Sequence, residues 1–162
     1  NLNQKMTQIV DIKDRADLIP EIAQWVYDEW GQYGSRTLDQ IQITIQDQFK
    51  VNYPFTLAAI ASDEPVGTAS LKAHDMDILQ ELTPWLSGVY VPPAHRGKGI
   101  ASSLIQEVAL RARDLGFEKL YLFTGSSAPL YIKLGWTPIN ELAYHGLDVV
   151  VMERHLAEKA RN

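Results

Sequence analysis

Val89–Ile105 reads VYVPPAHRGKGIASSLI, and the fold turns on how this stretch is read. Three β-formers run into two prolines, a short basic turn with two glycines follows, and the next residues open a helix. At such a handover the first N–H groups of the helix have no intrahelical partner, and the helix dipole adds partial positive charge. Gly97 and Gly99 carry no Cβ to hold a ligand off the backbone, and Arg96 and Lys98 add charge. The turn therefore has the makings of an anion site at a helix N-terminus. A plain structural connection between strand and helix fits the turn equally well. The spacing is neither G-x-x-x-x-G-K-[ST] nor G-x-G-x-x-G, because Ser102 stands where the third glycine would fall.

Working outward, periodicity predicts strands over Thr7–Ile12, Phe55–Ala61, Val66–Ala73 and Pro84–Val91. "EKLYLFT", "WTPINEL" and "LDVVVMERHL" read as three later strands. Helices are expected from Asp17 to Trp30, from Thr37 to about Val51, from about Ile100 to Gly116, and in "SAPLYIKLG". "TLDQ" has capping-box spacing. "SDEP" is read as the turn between the second and third strands, and "HDMDILQELT" as a polar loop. The order β-α-α-β-β-β-α-β-α-β-β predicts a mixed α/β sheet, with a βαβ unit across the fourth and fifth strands.

The 162 residues suit one domain, residues 1–162, with a single core. Residues 1 to 5 read as a leader ahead of the first strand. No apolar run approaches a membrane-spanning helix, so a cytoplasmic protein is expected. Without cysteine there is no thiolate metal site and no cysteine nucleophile, and the four histidines have no metal-ligand spacing. No metal is expected. A net charge of −5 disfavours a general nucleic-acid binder.

Downstream stands APLYIKLGW, Ala128–Trp136. With this segment in view, the chain resembles the GNAT superfamily of N-acetyltransferases. The family's acyl-CoA loop, [QR]-x-x-G-x-[GA], is matched by Arg96, Gly99 and Ala101. Its later pattern, A-x-x-[LF]-Y-x-x-x-G-[FW], is matched by Ala128, Tyr131, Gly135 and Trp136, with Leu130 before the tyrosine. The element order is also the family's, from about Thr7 to Leu156. The fold implied is an α+β sheet of six to seven mostly antiparallel strands, flanked by four helices, with the fourth and fifth strands splayed.

The resemblance implies an acetyl-CoA-dependent transfer of an acetyl group to a primary amine. The pyrophosphate would lie on the N–H groups of Arg96, Gly97, Lys98, Gly99, Ile100 and Ala101, with Ser102 beside them. The pantetheine arm would pair with Val89, Tyr90 and Val91, and an N–H near Val91 would polarise the thioester carbonyl. Thr124 stands where the family often has asparagine, and Thr124 and Ser127 are further cofactor contacts. Tyr131 is placed as the general acid for the departing thiolate. The fourth strand has no glutamate, a frequent position for the base, so the base is sought among Glu29, His74, Asp75 and Glu81, with Asp75 and Glu29 carried forward. Trp25 reads as core. Trp30 and Trp85 are candidate pocket walls, and His95 and Lys98 candidate surface groups on the 3′-phosphate side. The expected partners are acetyl-CoA and an amine, with a small molecule foremost, and neither nucleic acid nor membrane. A homodimer is left open. A non-catalytic acyl-CoA sensor and an unrelated phosphate-binding α/β domain stay as alternative readings.

Overall fold

The computed structural model describes residues 7–34 and 36–157. The leader reading of residues 1 to 5, Ser35 in the expected turn and the end of the polar tail lie outside them. The strands are β1 (Gln8–Asp11), β2 (Phe55–Ala61), β3 (Glu64–Lys72), β4 (Trp85–Tyr90), β5 (Lys119–Thr124), β6 (Thr137–Tyr144) and β7 (Leu147–His155). The helices are α1 (Ile19–Trp30), α2 (Leu38–Asp47), α3 (Ile100–Asp114) and α4 (Ala128–Lys133). This is the expected order. The strands form one mixed, mostly antiparallel sheet in the order β1-β2-β3-β4-β5-β7-β6, and β4 and β5 are the parallel pair. Their ladder has a single register, Trp85 opposite Tyr121, at the start of β4.

Local chemistry accounts for most of the boundaries. Pro20 sits in the first turn of α1, where its missing N–H costs nothing. Thr37 and Gln40 close a reciprocal capping box ahead of α2, at 3.1 and 2.8 Å. The β2–β3 turn is shorter than "SDEP" suggests. Ser62 and Asp63 both adopt positive φ, 51° and 65°, which makes a two-residue hairpin turn, so β3 starts at Glu64. Pro65 thus lies inside a strand, and the register shift between Ala59 and Ile60 falls opposite it.

The chain divides into two compact units. One comprises the residues up to Leu71 with Gly88–Val108, and the other Lys72–Ser87 with the chain from Ala109 onward. The core of the first gathers Ile12, Leu18, Ile19, Ile22 and Ala23 with Ile41, Ile45, Ala58 and Ile60. Trp25 packs on its edge, as expected. On β3, a Cβ on Gly67 would stand 2.9 Å from Ile100 Cγ2, 3.0 Å from Leu104 Cδ1 and 3.4 Å from the Tyr90 carbonyl. Only hydrogen fits there, so α3 lies directly on the strand.

The second unit is built on Met76, Trp85, Tyr121, Val149 and Val151. Two expectations change here. Trp85 is no pocket wall: it is 1% exposed, and its indole N–H donates to the Leu82 carbonyl at 2.7 Å. The 74–83 segment is not simply a polar loop, because Met76 is buried and Leu79 and Leu82 pack on the same cluster. Thr83 Oγ1 donates to the Ala73 carbonyl at 2.7 Å and ties its two ends together. Gln80 also donates to the Met76 carbonyl.

Gly67→Val should cost about 1–3 kcal/mol of stability through overpacking against Ile100 and Leu104. A thermal melt should place the variant several degrees below the parent, whereas Gly34→Ala, at a site with nothing within 4 Å of its Cβ, should not move it.

Candidate functional site

The turn singled out in the sequence belongs to the first unit. After β4 the chain passes Val91 and Pro92 into a 3-10 turn over Pro93–His95. The His95 N–H donates to the Pro92 carbonyl at 2.9 Å, and the Arg96 N–H to that of Pro93 at 3.3 Å. Gly97 and Gly99 then take positive φ, 79° and 80°, a conformation that L side chains rarely adopt. Arg96 through Gly99 are exposed, and Ile100 is buried. The Ser103 N–H bonds to the Gly99 carbonyl at 3.1 Å. The N–H groups of Ile100, Ala101 and Ser102 therefore stand ahead of the helix ladder, at the positive end of α3. Since the Arg96 N–H is engaged by Pro93, it is not among the outward donors of the turn, which begin at Gly97.

The Arg96 side chain folds back toward the strand. Its Nε donates to the Val91 carbonyl at 2.8 Å, and its Cζ stands 5.7 Å from the centre of the Tyr90 ring. That ring is 5.7 Å from Trp25 and meets Trp30 edge-on at 6.4 Å. Val91 is buried, and Val89 and Tyr90 are half-buried. Glu29 is exposed on the last turn of α1; Lys98 is exposed, and His95 half-buried.

Tyr131 belongs to the second unit. Thr124 Oγ1 accepts the Ser127 N–H at 3.0 Å, and the Ser127 carbonyl accepts the N–H groups of Leu130 and Tyr131 at 3.1 and 3.3 Å. These bonds make Thr124 and Ser127 the scaffold of α4. The Tyr131 carbonyl accepts from Leu134 and Trp136, both at 3.0 Å, and its ring packs edge-on against Trp136 at 5.9 Å. Burial pushes the Tyr131 phenol up to about 12, so it keeps its proton through the physiological range.

Among the base candidates, His74, Glu81 and Glu29 are exposed, and Asp75 is half-buried. Asp75 Oδ1 accepts the Ser87 hydroxyl at 2.6 Å, and Ser87 is itself a buried residue of β4. Sequence reasoning missed Ser87: nothing local links a strand serine to a loop aspartate before the chain folds. It also missed the contacts that join Tyr90 to Trp30 and Arg96. Their only trace was Trp30 as a candidate pocket wall.

Chemically, the first unit offers free donors at a helix N-terminus beside a strand end. The second offers a protonated phenol and an oriented carboxylate. Comparison with known proteins bears on what such parts serve. Human N-acetyltransferase 8B is 32% identical over 91 residues, which is 54% of this chain and 40% of that protein's length. The chain thus matches well under two thirds of that relative. Among solved structures, an N-acetyltransferase from Staphylococcus aureus Mu50 superposes with TM-score 0.74 at 21% identity, over 93% of this chain and 99% of the other. An aminoglycoside 6′-N-acetyltransferase complexed with coenzyme A gives 0.76 at 13% identity, over 95% and 99%. A phosphinothricin acetyltransferase from Sinorhizobium meliloti in complex with acetyl-CoA gives 0.70 at 23%, over 93% and 89%. At such identities the likeness is one of fold. The family model for the acetyltransferase (GNAT) family matches residues 19–136, a span that holds the glycine turn, Asp75 and Tyr131, and the chain belongs to that family.

Proposed function

We propose that residues 1–162 act as one acetyl-CoA-dependent N-acetyltransferase domain, moving the acetyl group directly to an amine. The observation that carries this reading is the start of α3, where two glycines at positive φ open the backbone N–H groups from Gly97 onward to an anion. Those groups, with Lys98, hold the CoA pyrophosphate. The coenzyme A and acetyl-CoA bound to the two solved relatives support that choice of anion. The pantetheine arm follows the strand from Val89 to Val91. The Arg96 side chain takes the Val91 carbonyl. That leaves the Val91 N–H to polarise the thioester carbonyl, an effect that can be worth roughly 3 kcal/mol at an oxyanion.

The step balances as follows. The neutral amine attacks the thioester carbon and forms the C–N bond. The tetrahedral intermediate collapses, the C–S bond breaks, and the thiolate takes the Tyr131 phenol proton. The proton lost by the amine goes to Asp75, directly or through water, and Tyr131 is reprotonated from solvent. Asp75 is preferred over Glu29 as the base because Ser87 fixes its carboxylate at 2.6 Å. A chain without cysteine lacks the residue best suited to an acyl-enzyme, which supports direct attack.

Gly99→Val strains a left-handed position and covers the donors, so calorimetry should find acetyl-CoA bound at least about tenfold more weakly, with the fold retained. Unchanged affinity would remove the glycine turn from the site. Tyr131→Phe should lower kcat by about 100-fold or more while leaving acetyl-CoA affinity within about twofold. Because the phenol is held near 12, wild-type kcat should show no alkaline fall as pH passes 10, the ordinary phenol value. A fall centred there would mean that Tyr131 titrates as an exposed group.

A further inference from the structure

The inference rests on the reading of Asp75 as the base and concerns what holds that residue in place. Asp75 lies in the 74–83 segment between β3 and β4, outside any strand or helix. Ser87 fixes its carboxylate from β4. The next residue, Met76, is buried among Trp85, Tyr121, Val149 and Val151, so Asp75 and Asp77 flank an anchored side chain.

A second hold comes from the β6–β7 hairpin. His145 and Gly146 take positive φ, 50° and 81°, and form the two-residue turn between the paired Tyr144 and Leu147. The turn brings two side chains to Asp77. The Tyr144 hydroxyl accepts the Asp77 N–H at 2.8 Å, and His145 Nε2 stands 3.1 Å from Asp77 Oδ2. The histidine pair is open to water, with side-chain exposures of 45% and 67%, and such pairs hold weakly. Tyr144 is the firmer partner. Its ring packs on the Met76 cluster, 5.5 Å from Phe123 and edge-on, so the hydroxyl is an acceptor fixed by packing. Burial raises the Tyr144 phenol from its ordinary value, the Asp77 N–H lowers it, and the carboxylates of Asp77 and Asp75 raise it further. The phenol thus lies within electrostatic reach of Asp75 and keeps its proton at neutral pH.

We propose that Tyr144 is a positioning residue for the acetyl transfer: by holding the Asp77 N–H, its hydroxyl keeps the 74–83 backbone where Ser87 can orient the Asp75 carboxylate for the amine. Tyr144 itself exchanges no proton with the substrate. Its action is on the segment that carries the base.

The test uses the whole chain with acetyl-CoA and with butylamine as the probe acceptor. Tyr144→Phe keeps the ring and removes the acceptor oxygen. Hydrogen exchange at the Asp77 amide should quicken about tenfold, the scale of one lost hydrogen bond. Turnover should fall about tenfold or more, while KM for acetyl-CoA stays within about twofold. In an Asp75→Asn background the same substitution should change kcat by less than about twofold, because the group it positions is already disabled. Tyr144→Phe with wild-type kcat overturns the proposal. So does an equal fall in both backgrounds, the result that general loosening of the unit would give. Asp75→Asn with wild-type kcat overturns the underlying reading of the base instead, and wild-type protein that leaves butylamine unacetylated overturns the reading of amine transfer.

Discussion

A missing side chain on β3 sets the geometry of the first unit. With a hydrogen in place of Cβ at Gly67, Ile100 and Leu104 come within a contact that would otherwise be a clash. Ile100 is the first residue of α3. The strand that accepts this packing therefore also fixes where the helix begins and where its free N–H groups stand. A Cβ at Gly67 would also stand 3.4 Å from the Tyr90 carbonyl, so β4 and the start of α3 are referenced to one point. The glycine turn between them spans a fixed gap. Gly97 and Gly99 close it at positive φ, which orients consecutive N–H groups outward at the positive end of a 15-residue helix.

Arg96 shows how one residue of the motif takes on a second duty. Its position in the sequence marks it as charge for an anion. In the folded chain its Nε holds the Val91 carbonyl, and its guanidinium lies over Tyr90. The arginine thereby ties the glycine turn back to the end of β4. Lysine would keep a charge near Tyr90 but has no Nε–H on a planar fork to hold the Val91 carbonyl in the same way.

In the second unit, positioning comes from individual hydrogen bonds between named partners. Thr124 and Ser127 set the start of α4, and the helix carries Tyr131 into a site where burial keeps the phenol neutral. The Thr124 hydroxyl oxygen accepts the Ser127 N–H within this scaffold. Ser87 orients Asp75 in the same way, from a strand to a loop.

Local rules reach far along this chain. Element order, the capping box at Thr37 and Gln40, the glycine ends of helices and the turn from Arg96 to Gly99 all follow from residues within a few positions of one another. So does the family likeness, because its motifs are local patterns on consecutive elements. Errors began where the deciding partner lay elsewhere in the chain. Trp85 had the look of a pocket residue until the Met76–Val151 cluster enclosed it, and the loop from His74 to Thr83 looked polar because Met76, Leu79 and Leu82 stand among charged and polar residues. The pairing of Asp75 with Ser87, and of Tyr90 with Trp30, likewise waited on folding. The sequence alone thus determined which segments form which elements and where an anion could lie, since backbone conformation and capping are decided by near neighbours. Tertiary structure alone decided which carboxylate is oriented, which tryptophan is buried and which aromatic rings gather beside β4, since burial and hydrogen-bond partners come from residues distant along the chain.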